Sequence, residues 1–170
     1  ADCGSLEAFR DAFDVFSCGL LRGLDLGSRG LVAAGGGVLA CVEARPASAK
    51  KGLGLVEWFE ARAVSRAPGV HTDARTLQRR GAASPFCTSS DVDLFLVGLD
   101  EARAMAALVD VHEAVCRNAC CRAVVVRSAS AVTFSAGFPR RHVQVVLRLY
   151  PTVASVLDSF DVDACCFAYD

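Results

Sequence analysis

Leu6, Phe9, Phe13, Phe16 and Leu20 recur at three- and four-residue steps, so the start of the chain predicts an amphipathic helix. Ser5 is placed to cap it and Gly23 to stop it. LVAA, Leu31 to Ala34, predicts a short buried strand; Gly35, Gly36 and Gly37 form a turn, and VLACVEAR a helix closed by Pro46. The pattern fades from Pro46 to Ser90, an Ala-, Arg-, Gly-, Pro- and Ser-rich region that reads as a loop insertion holding at most a helix in LGLVEWFEARAV. Order returns with a strand from Asp91 to Val97. A helix follows from Asp100, its N-cap, to Asn118, with Met105, Leu108, His112, Val115 and Ala119 on one side. RAVVVRS and AVTFSA predict a hairpin and GFPRR a turn. In HVQVVLRLY, Val143, Val145, Leu147 and Leu149 face one way, and His142, Gln144, Val146 and Arg148 the other. Pro151 and Thr152 open a short helix, and FDVDACCFAYD closes the chain as a strand. The order α-β-α-insert-β-α-β-β-β-α-β describes an α/β or α+β domain with a mixed β-sheet flanked by helices.

The length of 170 residues suits a single domain, 1–170, with the insertion at 46–90, and a 53% apolar content supplies a core. The sequence starts without Met and ends in a predicted strand, which reads as a fragment truncated at its C-terminus. A net charge of −1 argues against a long nucleic acid or an anionic membrane as partner. No apolar run is long enough to span a bilayer. Nine cysteines without a CxxC pair read as reduced thiols in an intracellular protein, cytoplasmic or nuclear. His112, Cys116 and Cys120 share a helix face, but ligands on one straight helix diverge too little to surround a tetrahedral zinc ion.

The chemistry centres on SSDVDLFLVG. Asp91 and Asp93 are two residues apart at the head of a strand, so both carboxylates project from one face. Two such charges repel unless water, a shared proton or a cation relieves them. Mg²⁺ takes one or two carboxylates plus phosphate oxygens, and two such ions activate an attacking hydroxyl and stabilise leaving pyrophosphate. In LVAAGGGVLACV, Gly36 and Gly37 open a helix, where close backbone approach and the helix N-terminus favour a triphosphate. Arg127, Arg140, Arg141, His142 and Arg148 fall on or between the later strands, within range of phosphate charge. The bland alternatives are a solvated strand start, a tight turn and solvated strand edges.

Together LVAAGGGVLACV and SSDVDLFLVG resemble the nucleotidyltransferase superfamily of polymerase-β type. SDVDLFLVGLDEARA, VVVRSASAVTF and VQVVLRLYPTVASVLDSFDVDACCFAYD are more similar still to a poorly characterised domain found beside ankyrin repeats. The resemblance implies a nucleotidyltransferase-like sheet, with catalytic Asp91 and Asp93 holding one or two Mg²⁺ ions. It implies NTP as substrate, held at Gly36, Gly37 and Arg148. Many members add a third carboxylate; here the equivalent strand offers Gln144, and Asp161 or Asp163 is the substitute metal ligand. The expected activity is transfer of an NMP from an NTP to an unidentified hydroxyl acceptor. The alternative is a catalytically inactive interaction module, with a protein partner, in a larger ankyrin-repeat-type protein.

Overall fold

A computed structural model describes residues 4–43, 91–137 and 140–170. Among these, the elements run in chain order as α1 (Leu6–Phe16), β1 (Leu31–Ala34), α2 (Gly36–Glu43), β2 (Val92–Val97), α3 (Glu101–Ala119), β3 (Val124–Arg127), β4 (Ala131–Ser135), β5 (Val143–Tyr150), α4 (Val153–Leu157) and β6 (Ala168–Tyr169). The insertion expected at Pro46 to Ser90, including its LGLVEWFEARAV helix, lies outside the described residues.

The fold is α+β, with a six-stranded mixed sheet in the order β3-β4-β5-β2-β1-β6. Only β2 and β5 run parallel; the other neighbours are antiparallel. Alternation along β2 and β5 creates two apolar layers. Val92, Leu94, Leu96, Val143 and Val145 join residues of α1, α2 and α3 in the main core. Phe95 and Tyr150 face the other side, where they meet Ala34 and Val156, with Phe160 packed against them.

The local signals account for most element ends. Ser5 Oγ accepts from the Ala8 amide, Asp100 Oδ1 from the Arg103 amide, and Thr152 forms a capping box with Ser155. Helix α1 stops at Phe16 rather than continuing to Gly23. Cys18 and Gly19 take positive φ, and the Gly19 amide reaches back to the Asp14 carbonyl at 2.8 Å. Leu20 and Leu21 enter the core from the turns that follow.

Helix α3 buries Ala104, Ala107, Val111, Ala114, Val115 and Ala119, while Met105 is 58% exposed. The expected face is therefore rotated: small alanines let the helix approach the sheet, and the longer Met105 turns out. The closing segment is not the long strand expected. Asp163–Cys165 form a 3-10 turn and only Ala168–Tyr169 pair with β1. Val162 and Phe167 remain exposed there, so the segment offers no continuous apolar face to hold a strand.

Candidate functional site

Strand β1 is buried along its whole length and ends against the start of β2, since Ala33 pairs with Leu94. Gly35 makes the turn into α2 with φ +93°, its amide donating to the Phe167 carbonyl at 3.1 Å. Helix α2 begins at Gly36, so Gly36 and Gly37 form its first turn, where amides have no intrahelical acceptor. A Cβ on Gly37 would lie 2.9 Å from Phe16 Cε1 and 3.2 Å from the Asp91 carbonyl oxygen. Glycine at this position thus lets the start of α2 rest directly on the head of β2.

Asp91 precedes β2 and Asp93 lies within it, both half-buried. Asp93 pairs in register with Gln144 of β5, which pairs in turn with Thr133 of β4. Gln144 Nε2 donates to Asp93 Oδ1 at 3.2 Å, and Thr133 Oγ1 donates to Gln144 Oε1 at 3.3 Å. Burial first, and the Asp91 charge second, push the Asp93 carboxyl up to about 6, against the opposing pull of the Gln144 bond. His142 Nδ1 stands 3.8 Å from Asp91 Oδ1, with both side chains about half exposed. The Val92 amide donates to the His142 carbonyl at 2.9 Å, which ties the imidazole's backbone to the aspartates.

The donor set is hard oxygen from two carboxylates, one bonded by Gln144 and the other facing His142, and Mg²⁺ is the kind of ion that takes one or two carboxylates with water or phosphate oxygens in its other positions. Asp161 is exposed in the turn after α4, next to Phe160, whose ring lies against Gly35 and 5.7 Å from that of Phe95. Among the described residues no group of three His, Cys, Asp or Glu side chains is placed to hold an ion.

The basic residues separate by position. Arg148 follows Gln144 by four residues, about 13 Å along the strand, and its guanidinium lies 4.9 Å over the Tyr150 ring. Arg127 is exposed on the edge strand β3. Arg140 is tied to the Ala136 and Ala119 carbonyls. Arg141 lies 4.0 Å over Phe16, the ring that also packs on Gly37. Arg141 and His142, rather than Arg148, are therefore at the aspartate end of the sheet.

Thr133 and the Phe16 ring went unrecognised as parts of this site. The signal for Thr133 was a hydroxyl inside the apolar strand AVTFS. Elsewhere, His112 Nε2 and Cys116 Sγ lie 3.4 Å apart, and the Ala123 amide donates to that sulfur. A cleft of about 500 Å³ between α1, the following turns and β6 includes Arg10, Phe13, Asp14 and Tyr169 and none of the candidate site residues.

A family model described as Gabija anti-defense 2 (Gad2) family protein matches residues 7–170. The chain belongs to the Gabija anti-defense 2 family. This match corrects the resemblance drawn from the sequence: the Gad2 family is neither the nucleotidyltransferase superfamily nor the ankyrin-associated domain. The motifs that carried that resemblance are short, a glycine turn and two aspartates, whereas the Gad2 match extends over residues 7–170. The chain matches no curated protein and no solved structure. Among the described residues of this Gad2 family member, no helix is long and apolar enough to cross a membrane.

Proposed function

We propose that this Gad2 family protein counters the Gabija defense system inside the cell, and that it does so by metal-dependent transfer of a nucleoside monophosphate from an NTP to a hydroxyl acceptor. The observation that carries the chemical reading is the seat of Gly37 on the main-chain carbonyl of Asp91, which sets the first turn of α2 against the head of β2, the strand on which Asp93 lies. Amides at a helix N-terminus bind phosphate oxygens, and Asp91 and Asp93 supply oxygen ligands for Mg²⁺. The ion, when bound, supplies charge neutralisation of the phosphates and of the leaving pyrophosphate. The chain's own contribution is to hold the two carboxylates on one face and to set His142 next to Asp91. A site with few basic residues suits a small or protein acceptor better than a long nucleic acid.

The test has two arms. Purified chain is incubated with Mg²⁺ and α-phosphate-labelled NTPs in an extract of cells carrying the Gabija system, and transfer of label is followed. In parallel, defense is scored in such cells expressing wild type, Asp91→Ala or Asp93→Ala. Metal-dependent labelling and loss of Gabija defense, both abolished by either substitution, are the expected results. Loss of defense by all three proteins alike would remove the enzymatic reading.

One observation favours a second reading, a binding module that acts by occupying a Gabija component. Beside Asp93, β5 carries the amide Gln144 rather than a carboxylate. On that reading Asp91→Ala and Asp93→Ala retain anti-defense activity, and no label is transferred.

A further inference from the structure

We propose that two copies of this chain pair through the open edge of β3, antiparallel about a two-fold axis at Val126, to make one continuous sheet. β3 is the last strand of the sheet, and among the described residues only β4 pairs with it. Val124 to Arg127 are all exposed, the three valines by 49% to 64%. The Ser128 amide donates to the Ala131 carbonyl, so the hydrogen-bonded pairs of this hairpin continue at Val126 with Thr133 and at Val124 with Ser135. The amides and carbonyls of Val125 and Arg127 therefore point away from β4, along an edge that another strand can match group for group. The devices that usually blunt such an edge are missing from β3. Its register with β4 runs without a shift, it has no Pro or Lys, and its one charge stands at the end.

A second copy fits this edge in register and in charge. Pairing about Val126 sets Val125 of one copy opposite Arg127 of the other, so both outward-facing residues exchange hydrogen bonds. Val126 then meets its own counterpart on the axis, and neither Arg127 faces the other. The Ala123 amide keeps its bond to Cys116 Sγ, which an axis at Val125 would bring into competition with Arg127 of the other copy. A net charge of −1 does little to hold copies apart. The opposite edge, β6, holds only Ala168 and Tyr169 and is too short to match β3, so the pairing closes as a dimer instead of growing head to tail. Four residues per copy make a small contact, and the dimer dissociates on dilution.

Sedimentation velocity of the full chain over a wide range of concentration reads the association. Wild type is expected to pass from monomer to dimer as concentration rises, with no larger species. Val126→Lys sets like charges face to face on the axis. Val125→Pro removes an outward amide without breaking a bond to β4. Each is expected to weaken association by about tenfold or more, with a melting temperature near that of wild type. If Val125→Pro does not fold, Val126→Lys carries the comparison. Mild oxidation reads the register, against the background set by the native cysteines. Val126→Cys forms a disulfide between copies, because an axial pair lies within bridging distance. Val124→Cys is more exposed but sits opposite Ser128 of the other copy, and it does not cross-link above background. A monomer at every concentration, or a dimer as tight in both variants as in wild type, would overturn the proposal. Larger assemblies would overturn the closed pair, and Val124→Cys cross-linking as fast as Val126→Cys would overturn the axis. A monomeric wild type whose anti-defense activity is lost in Val126→Lys would give the edge instead to a strand of a Gabija component.

Discussion

Gly37 rests on the main chain of Asp91: a Cβ at Gly37 would stand 3.2 Å from the Asp91 carbonyl oxygen, with Phe16 Cε1 at 2.9 Å on its other side. Neither neighbour yields easily, because one is backbone and the other belongs to a ring that is only 1% exposed.

Gly37→Ala is therefore expected to destabilise the fold by about 1–3 kcal/mol, the usual cost of overpacking, and to move α2 away from β2. Urea denaturation measures the first effect, and Mg²⁺-dependent binding of a non-hydrolysable NTP analogue the second. Gly98→Ala serves as a comparison, since its Cβ would meet nothing within 4 Å and only its φ of +66° opposes it. Unchanged nucleotide binding in a folded Gly37→Ala protein would separate this glycine from the site.

The Asp93 carboxyl has its pKa raised from 3.8 to about 6 in the folded chain. Between these values the folded state binds more protons than the unfolded state, so this group's contribution makes stability fall as pH rises. The loss is complete above about pH 6 and is on the order of 3 kcal/mol. Asp93→Asn should thus be more stable than wild type at pH 8, with the difference vanishing towards pH 4, as read from urea curves at both pH values. Asp91→Asn removes the neighbouring charge and should lower the Asp93 pKa, measured by carboxyl ¹³C chemical shift. Adding Mg²⁺ at pH 8 should stabilise wild type and leave Asp93→Asn unaffected.

The local code of this chain was largely legible, because caps and periodicity act over a few residues. Ser5, Asp100 and Thr152 announce the helices they cap, and the alternation in HVQVVLRLY places Gln144 on the aspartate face. What adjacent positions cannot specify is the packing between elements. Nothing near Arg148 in the chain says that its guanidinium lies over Tyr150, and nothing near Arg141 says that Phe16, from the first helix, lies beneath it. Family membership is illegible in the short motifs for a related reason. A glycine turn and two aspartates describe a local geometry, whereas membership of the Gad2 family is carried by residues 7–170 together.

The rotated face of α3 gives a direct check on the packing. Ala107 is 2% exposed and Met105 is 58% exposed. Ala107→Leu should cost about 1–3 kcal/mol through overpacking, whereas Met105→Lys should change stability by no more than about 0.5 kcal/mol. Thermal unfolding of the two variants ranks them. A larger loss in Met105→Lys would restore the face expected from the helical pattern.

The arginines distinguish where a triphosphate would sit. Arg141 is held over the Phe16 ring at 4.0 Å, and that ring packs on Gly37, while Arg148 stacks on Tyr150 farther along β5. A charged hydrogen bond contributes about 1.5–3 kcal/mol, so losing one weakens binding by roughly tenfold to a hundredfold. Arg141→Ala should reduce affinity for an NTP analogue with Mg²⁺ by that factor, and Arg148→Ala should leave it within about twofold. Calorimetric titration of both variants makes the comparison, with the melting temperature showing that each remains folded. The reverse ranking would place the phosphates toward Tyr150 and away from the first turn of α2, and Asp91 and Asp93 would then have to act without the glycine turn as their phosphate-binding partner.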